Sequence, residues 1–395
     1  MTPGARVQAA IELLDQIIVA TREGGAAADT LIARYFATRR YAGAKDRRAV
    51  RDLVYAAIRR VGEQPVSGRA ALLGLAADDA ALAALFDGSP HAPAPITAGE
   101  PVALAGTAPA WLAAMLAQSD IEGDALTALV DRAPLDLRVN RARASVADVL
   151  ASLPDAAPIA GLSDAVRLAH GTPVEQHPLW AAGAFEIQDA GSQIVSLAAQ
   201  AAPGQAIVDL CAGAGGKTLA FSAAMRGEGV LLACDVDRGR LQRLGPRAAR
   251  AGATGIEARL LNPGREAAAL ADWAGRADTV VIDAPCSGTG TWRRNPEARW
   301  RLTPERLARL VETQRHVLAL GAALVQPGGA LVYIVCSLLD EEGAAQVAAF
   351  LNAHPGWCAE PLSLPAGRVH GLGVRLTPRH DSTDGFFVAR LRAPC

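Results

Sequence analysis

Two cysteines, each followed by a serine, carry the clearest potential for covalent chemistry in this chain. One ends the run Val280-Val-Ile-Asp283-Ala-Pro-Cys286-Ser-Gly288, and the other ends Leu331-Val-Tyr-Ile-Val-Cys336-Ser337. Both runs read as buried strands, so both thiols fall at strand carboxyl ends, with the Asp283 carboxylate beside the first. A thiolate adds to electron-poor carbon, and an acid nearby can hold the atom that receives the displaced electrons. A third stretch, Ile207-Val-Asp-Leu-Cys211-Ala-Gly213-Ala-Gly215-Gly216-Lys217-Thr218-Leu219, reads as strand, Gly-rich turn and helix start. Such a turn lets backbone approach a ligand closely and turns helix N–H groups towards it.

That turn has two nucleotide readings. A phosphate-binding loop needs G-x-x-x-x-G-K-[ST], and its first glycine would stand at position 211, which is Cys211. A nucleoside site instead needs an acid about 20 residues on, at the end of the next strand. Asp235 ends Gly229-Val-Leu-Leu-Ala-Cys-Asp235, 22 residues past Gly213, and its carboxylate suits ribose hydroxyls. The nucleoside reading is the better match. The cysteines also have plainer meanings. A lone cysteine is most often a small buried apolar group, a pair can be a disulfide, and metal binding wants histidine or further cysteines nearby. Both thiols standing at strand ends, each before a serine, favour chemistry, and Asp-Ala-Pro-Cys is far more specific than Asp283 alone.

The elements that must position these groups follow from periodicity. Strands are expected over 207–211, 230–235, 256–261, 278–284 and 330–335, with helices between them. This is the α/β pattern of a Rossmann-like, doubly wound parallel sheet, closed by a last, antiparallel strand over 385–391. Ligands then bind at the strand carboxyl ends. Upstream, 131–180 reads as a small α/β module, with strands at 135–141 and 165–168. Asp189 is placed to cap the helix that follows. Residues 1–130 read as an all-helical region with a linker near 88–105. The main α/β domain then runs over 181–395. Between Arg6 and Arg60 stand 11 basic and 6 acidic residues, although the whole chain carries a net charge of −1. Nucleic acid would therefore meet local patches and not a uniform polycation. Of 39 basic residues only Lys45 and Lys217 are lysine, which points to a need for a compact ammonium in the turn.

Six cysteines show no C-x-x-C and no metal spacing, no apolar run reaches membrane-spanning length, and Glu12 and Asp15 interrupt the N-terminal apolar segment. We therefore expect reduced thiols in a cytoplasmic protein without a metal or a membrane partner.

With these motifs in place, the chain resembles the RsmB/Sun family of S-adenosylmethionine-dependent RNA cytosine-C5 methyltransferases. The likeness is strong over 181–395, weaker through 105–180 and faint over 1–60, where Lys45 to Tyr55 resembles the family's NusB-like helical domain. The family's Cys-Ala-x-x-Gly-Gly-Lys stands at Cys211 to Lys217, its strand-two acid at Asp235, its Asp-Ala-Pro-Cys at Asp283 to Cys286 and its second cysteine motif at Cys336-Ser337. Asp384-Gly-Phe-Phe387 is also similar. The resemblance implies S-adenosylmethionine as cofactor, held by Cys211, Ala212, Gly213, Ala214, Gly215, Gly216, Lys217, Asp235, Arg240, Asn262 and Asp283. It implies Cys336 as nucleophile, Cys286 as the releasing thiol, and Asp283 and Lys217 in support. Three positions depart from the pattern: Ala214 replaces a proline, Asn262 an acid and Val335 a threonine.

The implied substrate is a cytosine of 16S ribosomal RNA, unpaired or flipped because a stacked base is out of reach. Transfer RNA is the alternative, and the protein is expected to act as a monomer. Gly290-Thr-Trp292-Arg-Arg-Asn-Pro-Glu-Ala-Arg-Trp300-Arg301 interleaves two tryptophans with four arginines, a composition suited to stacking bases and holding phosphates. Two other functions compete. An N-methyltransferase would want Asn-Pro-Pro-aromatic where Asp-Ala-Pro-Cys stands. A non-catalytic RNA-binding or ribosome-assembly protein would not need paired cysteines with Lys217.

Overall fold

In the computed structural model, which describes residues 1–395, the N-terminal periodicity becomes helices α1 (Pro3–Glu23), α2 (Ala28–Ala37), α3 (Ala44–Arg60) and α4 (Gly68–Ala76). On α1 the buried Val7, Ala10, Leu14, Ile17 and Ile18 recur every three or four residues and face α3 and α4. Thr2 caps its start, accepting from the Ala5 amide at 3.2 Å, and Gly24 ends it at φ 72°. These helices belong to the first of two units, Met1–Asp131 together with Thr291–Pro304.

The Trp292–Arg301 segment serves the core of this unit. The Trp300 ring lies among its apolar residues, and Trp292 and Arg299 are both 0% exposed. The charged residues of the segment complete helix ends. Glu297 accepts from the Ala28 amide at 3.0 Å, at the start of α2, where Ala27 has no capping side chain. Arg299 donates to the carbonyls of Ile58 at 2.6 Å and Val61 at 2.7 Å, just where α3 stops. Arg301 donates to the Ala20 carbonyl in the last turn of α1 and to the Gly25 and Ala26 carbonyls just beyond it. Unpaired carbonyls and the negative end of the helix dipole favour a cation at those termini. The two tryptophans are therefore not the base-stacking platform that their composition suggests.

The second unit comprises Arg132–Gly290 and Glu305–Cys395. It opens with an antiparallel sheet of β1 (Leu135–Val139), β2 (Ala157–Pro158), β3 (Ala165–Leu168) and β4 (Phe185–Ile187), in the order β2-β3-β1-β4. Asp189 then caps the helix Ala190–Ser196, accepting from the Ser192 amide at 3.2 Å.

The main sheet holds β5 (Ala206–Asp209), β6 (Val230–Asp235), β7 (Ile256–Leu260), β8 (Ala277–Asp283) and β9 (Val325–Val335), followed by β10 (Cys358–Glu360), β11 (Arg368–His370), β12 (Gly373–Leu376) and β13 (Phe386–Arg392). Its order is β11-β12-β13-β9-β8-β5-β6-β7, with β10 also on β13. β5 to β9 are mutually parallel and β13 runs antiparallel to β9. The chain moves outward from β5 to β7 on one side and from β8 to β9 on the other, so the switch point lies at β5 and β8. Both strands are almost fully buried, as helices on both faces require. The expected α/β class is what the structure has. One detail differs: Gln326-Pro-Gly-Gly329 lies inside β9, where the register with β8 slips between Ala277 and Thr279. The strand absorbs the extra residues as an irregularity and resumes at Ala330. No helix is long and apolar enough to cross a membrane.

Candidate active site

The Gly-rich turn forms because β5 ends beside two partners. The Leu210 amide donates to the Val281 carbonyl at 2.9 Å and the Ala212 amide to the Cys234 carbonyl at 2.8 Å. Gly215 then adopts φ 83°, and a Cβ there would stand 2.2 Å from Leu244 Cδ1, so only glycine fits. The helix Gly216–Met225 starts at the next residue. Asp235 reaches back from β6: its Oδ2 accepts from the Gly213 amide at 2.7 Å and its Oδ1 from the Asp237 amide at 2.7 Å. Each oxygen keeps a second lone pair for a ribose hydroxyl. The Arg240 guanidinium borders the turn, 2.4 Å from where a Gly213 Cβ would be. Arg247 donates to the Ala214 carbonyl at 2.8 Å and pairs with buried Glu186 at 2.8 Å. Asn262 is exposed, two residues beyond β7. The turn thus offers amides, small residues and an acid at the strand ends, a set that fits a nucleoside-bearing cofactor.

Beneath the turn, Asp209 is fully buried and accepts from the Thr218 hydroxyl at 2.6 Å. Burial pushes its carboxyl up to about 7, against the Thr218 hydrogen bond and with help from the Asp283 charge.

β8 and β9 are adjacent and parallel, with Asp283 opposite Ile334. The cysteines that follow them therefore meet: Cys286 Sγ and Cys336 Sγ are 3.3 Å apart, and both residues are half-buried free thiols. Lys217 Nζ donates to Asp283 Oδ2 at 2.7 Å, joining the first turn of the helix after β5 to the end of β8. Burial alone would lower the Lys217 ammonium, but the charge and hydrogen bond of Asp283, and the Cys336 sulfur, raise it. Its Nζ also lies 5.4 Å from the Phe386 ring centre. The Cys286 thiol is driven well above its ordinary range by the hydrogen bond with Cys336, by burial, and by the Cys336 and Glu342 charges. The Cys336 carbonyl accepts from the Gly290 amide at 3.0 Å, and the Gly290 carbonyl from the Gly385 amide at 2.8 Å. A Cβ on Gly290 would be 2.1 Å from the Gly385 oxygen, so this crossing also needs glycine.

Residues 196–392 match the family model described as 16S rRNA methyltransferase RsmB/F. The chain belongs to that family. Among its relatives, the probable ribosomal RNA small subunit methyltransferase B of Synechocystis sp. is 36% identical over 300 residues, covering 72% of this chain and 66% of the relative. The corresponding protein of Xanthomonas campestris is 36% identical over 291 residues, with the same coverage of each chain. The chain thus spans just under two thirds of the length of these relatives. In fold it is similar to the crystal structure of PH0851, at 23% identity and a TM-score of 0.76 over 98% of each chain.

Two residues beside the cysteine loops, Glu342 and Gln314, are not apparent from the sequence. Glu342, Gln314 and Ser337 are all 0% exposed beneath the cysteine loops. Glu342 stands in Asp340-Glu-Glu342, which in sequence looks like the solvated acidic start of a helix. Only the serine after each cysteine hints at a shared partner.

Proposed function

We propose that the protein transfers a methyl group from S-adenosylmethionine to C5 of a cytosine in ribosomal RNA, through a cysteine adduct at C6. The observation that carries this reading is the pair of thiols 3.3 Å apart, beside the Lys217–Asp283 ion pair and next to the nucleoside-fitting turn. C5 of cytosine is a poor nucleophile. Cys336, as thiolate, forms an S–C6 bond, and the C5=C6 electrons make C5 enamine-like. A proton shared between Asp283 and N3 offsets the electron density the ring gains, and Lys217 steadies the negative charge of the Asp283 carboxylate and the Cys336 sulfur. Residues Cys211 to Lys217, Asp235, Arg240, Asn262 and Asp283 would hold the cofactor, which when bound supplies an electrophilic methyl group to C5. Water then accepts the C5 proton, the C5=C6 bond re-forms, and the S–C6 bond breaks. Cys286, held as a thiol at neutral pH, donates its S–H to the departing Cys336 sulfur and makes it a better leaving group.

The test is methyl transfer to ribosomal RNA by purified protein, with bisulfite sequencing to read the modified base. Wild type is expected to create a bisulfite-resistant cytosine. Cys336→Ala is expected to create none while still binding S-adenosylmethionine. Turnover by Cys336→Ala at the wild-type rate would defeat the covalent route.

A further inference from the structure

The two cysteine loops are joined by one buried carboxylate. Glu342 Oε1 accepts from the Ser287 amide at 2.8 Å and from Gln314 Nε2 at 2.9 Å. Its Oε2 accepts from the Ser337 hydroxyl at 2.5 Å and from the Ser287 hydroxyl. An ionised carboxylate is acceptor-only and takes about four hydrogen bonds, and here four neutral donors fill that capacity. Those donors are not scattered. Ser287 follows Cys286 and Ser337 follows Cys336, while the same Gln314 nitrogen also donates to the carbonyl of Pro285, the residue before Cys286, at 2.9 Å. The Glu342 backbone is itself fixed, its carbonyl accepting from the Tyr333 hydroxyl at 2.7 Å. Thr289 closes the cluster, its hydroxyl 3.2 Å from that of Ser337 and accepting from the Leu338 amide at 2.8 Å.

We propose that Glu342 is a positioning residue for the thiol pair, its carboxylate clasping the serine behind each cysteine and so setting the distance between the two sulfurs. The catalytic consequence rests on the reading above, because addition by one thiol and release with help from the other require both at one carbon. A glutamine could not replace it. Its amide accepts at one end only, so its NH2 group would face either the Ser287 amide and Gln314 or the two serine hydroxyls. The carboxylate charge has a second effect, since it is among the influences that keep Cys286 protonated.

The experiment compares wild type with Glu342→Gln and with the double variant Ser287→Ala, Ser337→Ala. Three measurements are made: the rate at which diamide oxidises the native pair to a Cys286–Cys336 disulfide, read by mass spectrometry; the pH dependence of Cys286 alkylation; and single-turnover methylation. For Glu342→Gln, disulfide formation is expected to slow at least about tenfold, and the Cys286 alkylation midpoint to move to lower pH. Single turnover is expected to fall about 100-fold, with KM for S-adenosylmethionine within about twofold of wild type. The serine double variant keeps the charge, so its disulfide rate falls while the alkylation midpoint stays. Wild-type disulfide rates in both variants would overturn the proposal. Should Glu342→Gln fail to fold, the serine variant alone decides, and an unchanged disulfide rate in it overturns the proposal equally. The thiol measurements need neither RNA nor methyl donor. Wild type that methylates no cytosine would therefore overturn the functional reading separately from the positioning role.

Discussion

Lys217 is one of only two lysines in the chain, and the structure gives it a task that arginine would perform poorly. The nearly buried Lys217 ammonium meets Asp283 Oδ2 at 2.7 Å, whereas a planar guanidinium needs a wider fork. Lys217→Met should cut single-turnover methylation on the order of 100-fold, and Lys217→Arg should not restore it. Rates in the presence of saturating RNA check this. Asp209 gives a pH prediction. Its folded carboxyl titrates near 7, above the ordinary 3.8, so the folded state holds a proton in that window that the unfolded state has lost. The stability it contributes is complete below about 4 and is lost as pH rises through about 7. Asp209→Asn still accepts from Thr218, so thermal unfolding of that variant should be flatter than wild type between pH 4 and 7. Reactive residues of this kind were legible in the sequence because strand periodicity placed Cys286, Cys336 and Asp283 at carboxyl ends. Glu342 was not legible, because burial of an acid depends on donors that arrive from Ser287, Gln314 and Ser337, distant in the chain.

At the level of elements, the parallel strands could be read from their apolar runs, and observed bounds such as Val230–Asp235 match the expected ones. What the runs did not contain was strand order. The adjacency of β8 and β9, which brings the thiols together, is a property of sheet topology. The Trp292–Arg301 segment shows the opposite limit. Its composition suggests nucleic-acid contact, yet its charges cap α1, α2 and α3, a use that depends on helix ends more than 200 residues away. Arg299 is the critical member. Arg299→Ala would leave the Ile58 and Val61 carbonyls without their buried partner and open a cavity, destabilising the helical unit by about 3 kcal/mol. Arg299→Lys should recover little, because one ammonium cannot span the same carbonyls. Denaturant unfolding followed through Trp292 and Trp300 fluorescence measures both.

For the molecule as a whole, a net charge of −1 leaves RNA affinity to local clusters. Lys45, Arg48 and Arg51 are exposed along α3, so their side chains are available to phosphates. Replacing all three with glutamate should weaken RNA binding and flatten its dependence on salt, by about 0.7 in logarithmic slope for each phosphate no longer neutralised. S-adenosylmethionine binding should be unaffected, and filter binding across a salt series reads both. The proposed reaction depends on a covalent bond that forms at one thiol and is released with help from the other. The most direct measurement incubates Cys286→Ala with ribosomal RNA and S-adenosylmethionine and resolves the products under denaturing conditions. A protein–RNA adduct stable to denaturant, and absent when Cys336→Ala is added to the same chain, is the predicted result. Free RNA methylated at the wild-type rate by Cys286→Ala, with no adduct, would contradict that mechanism.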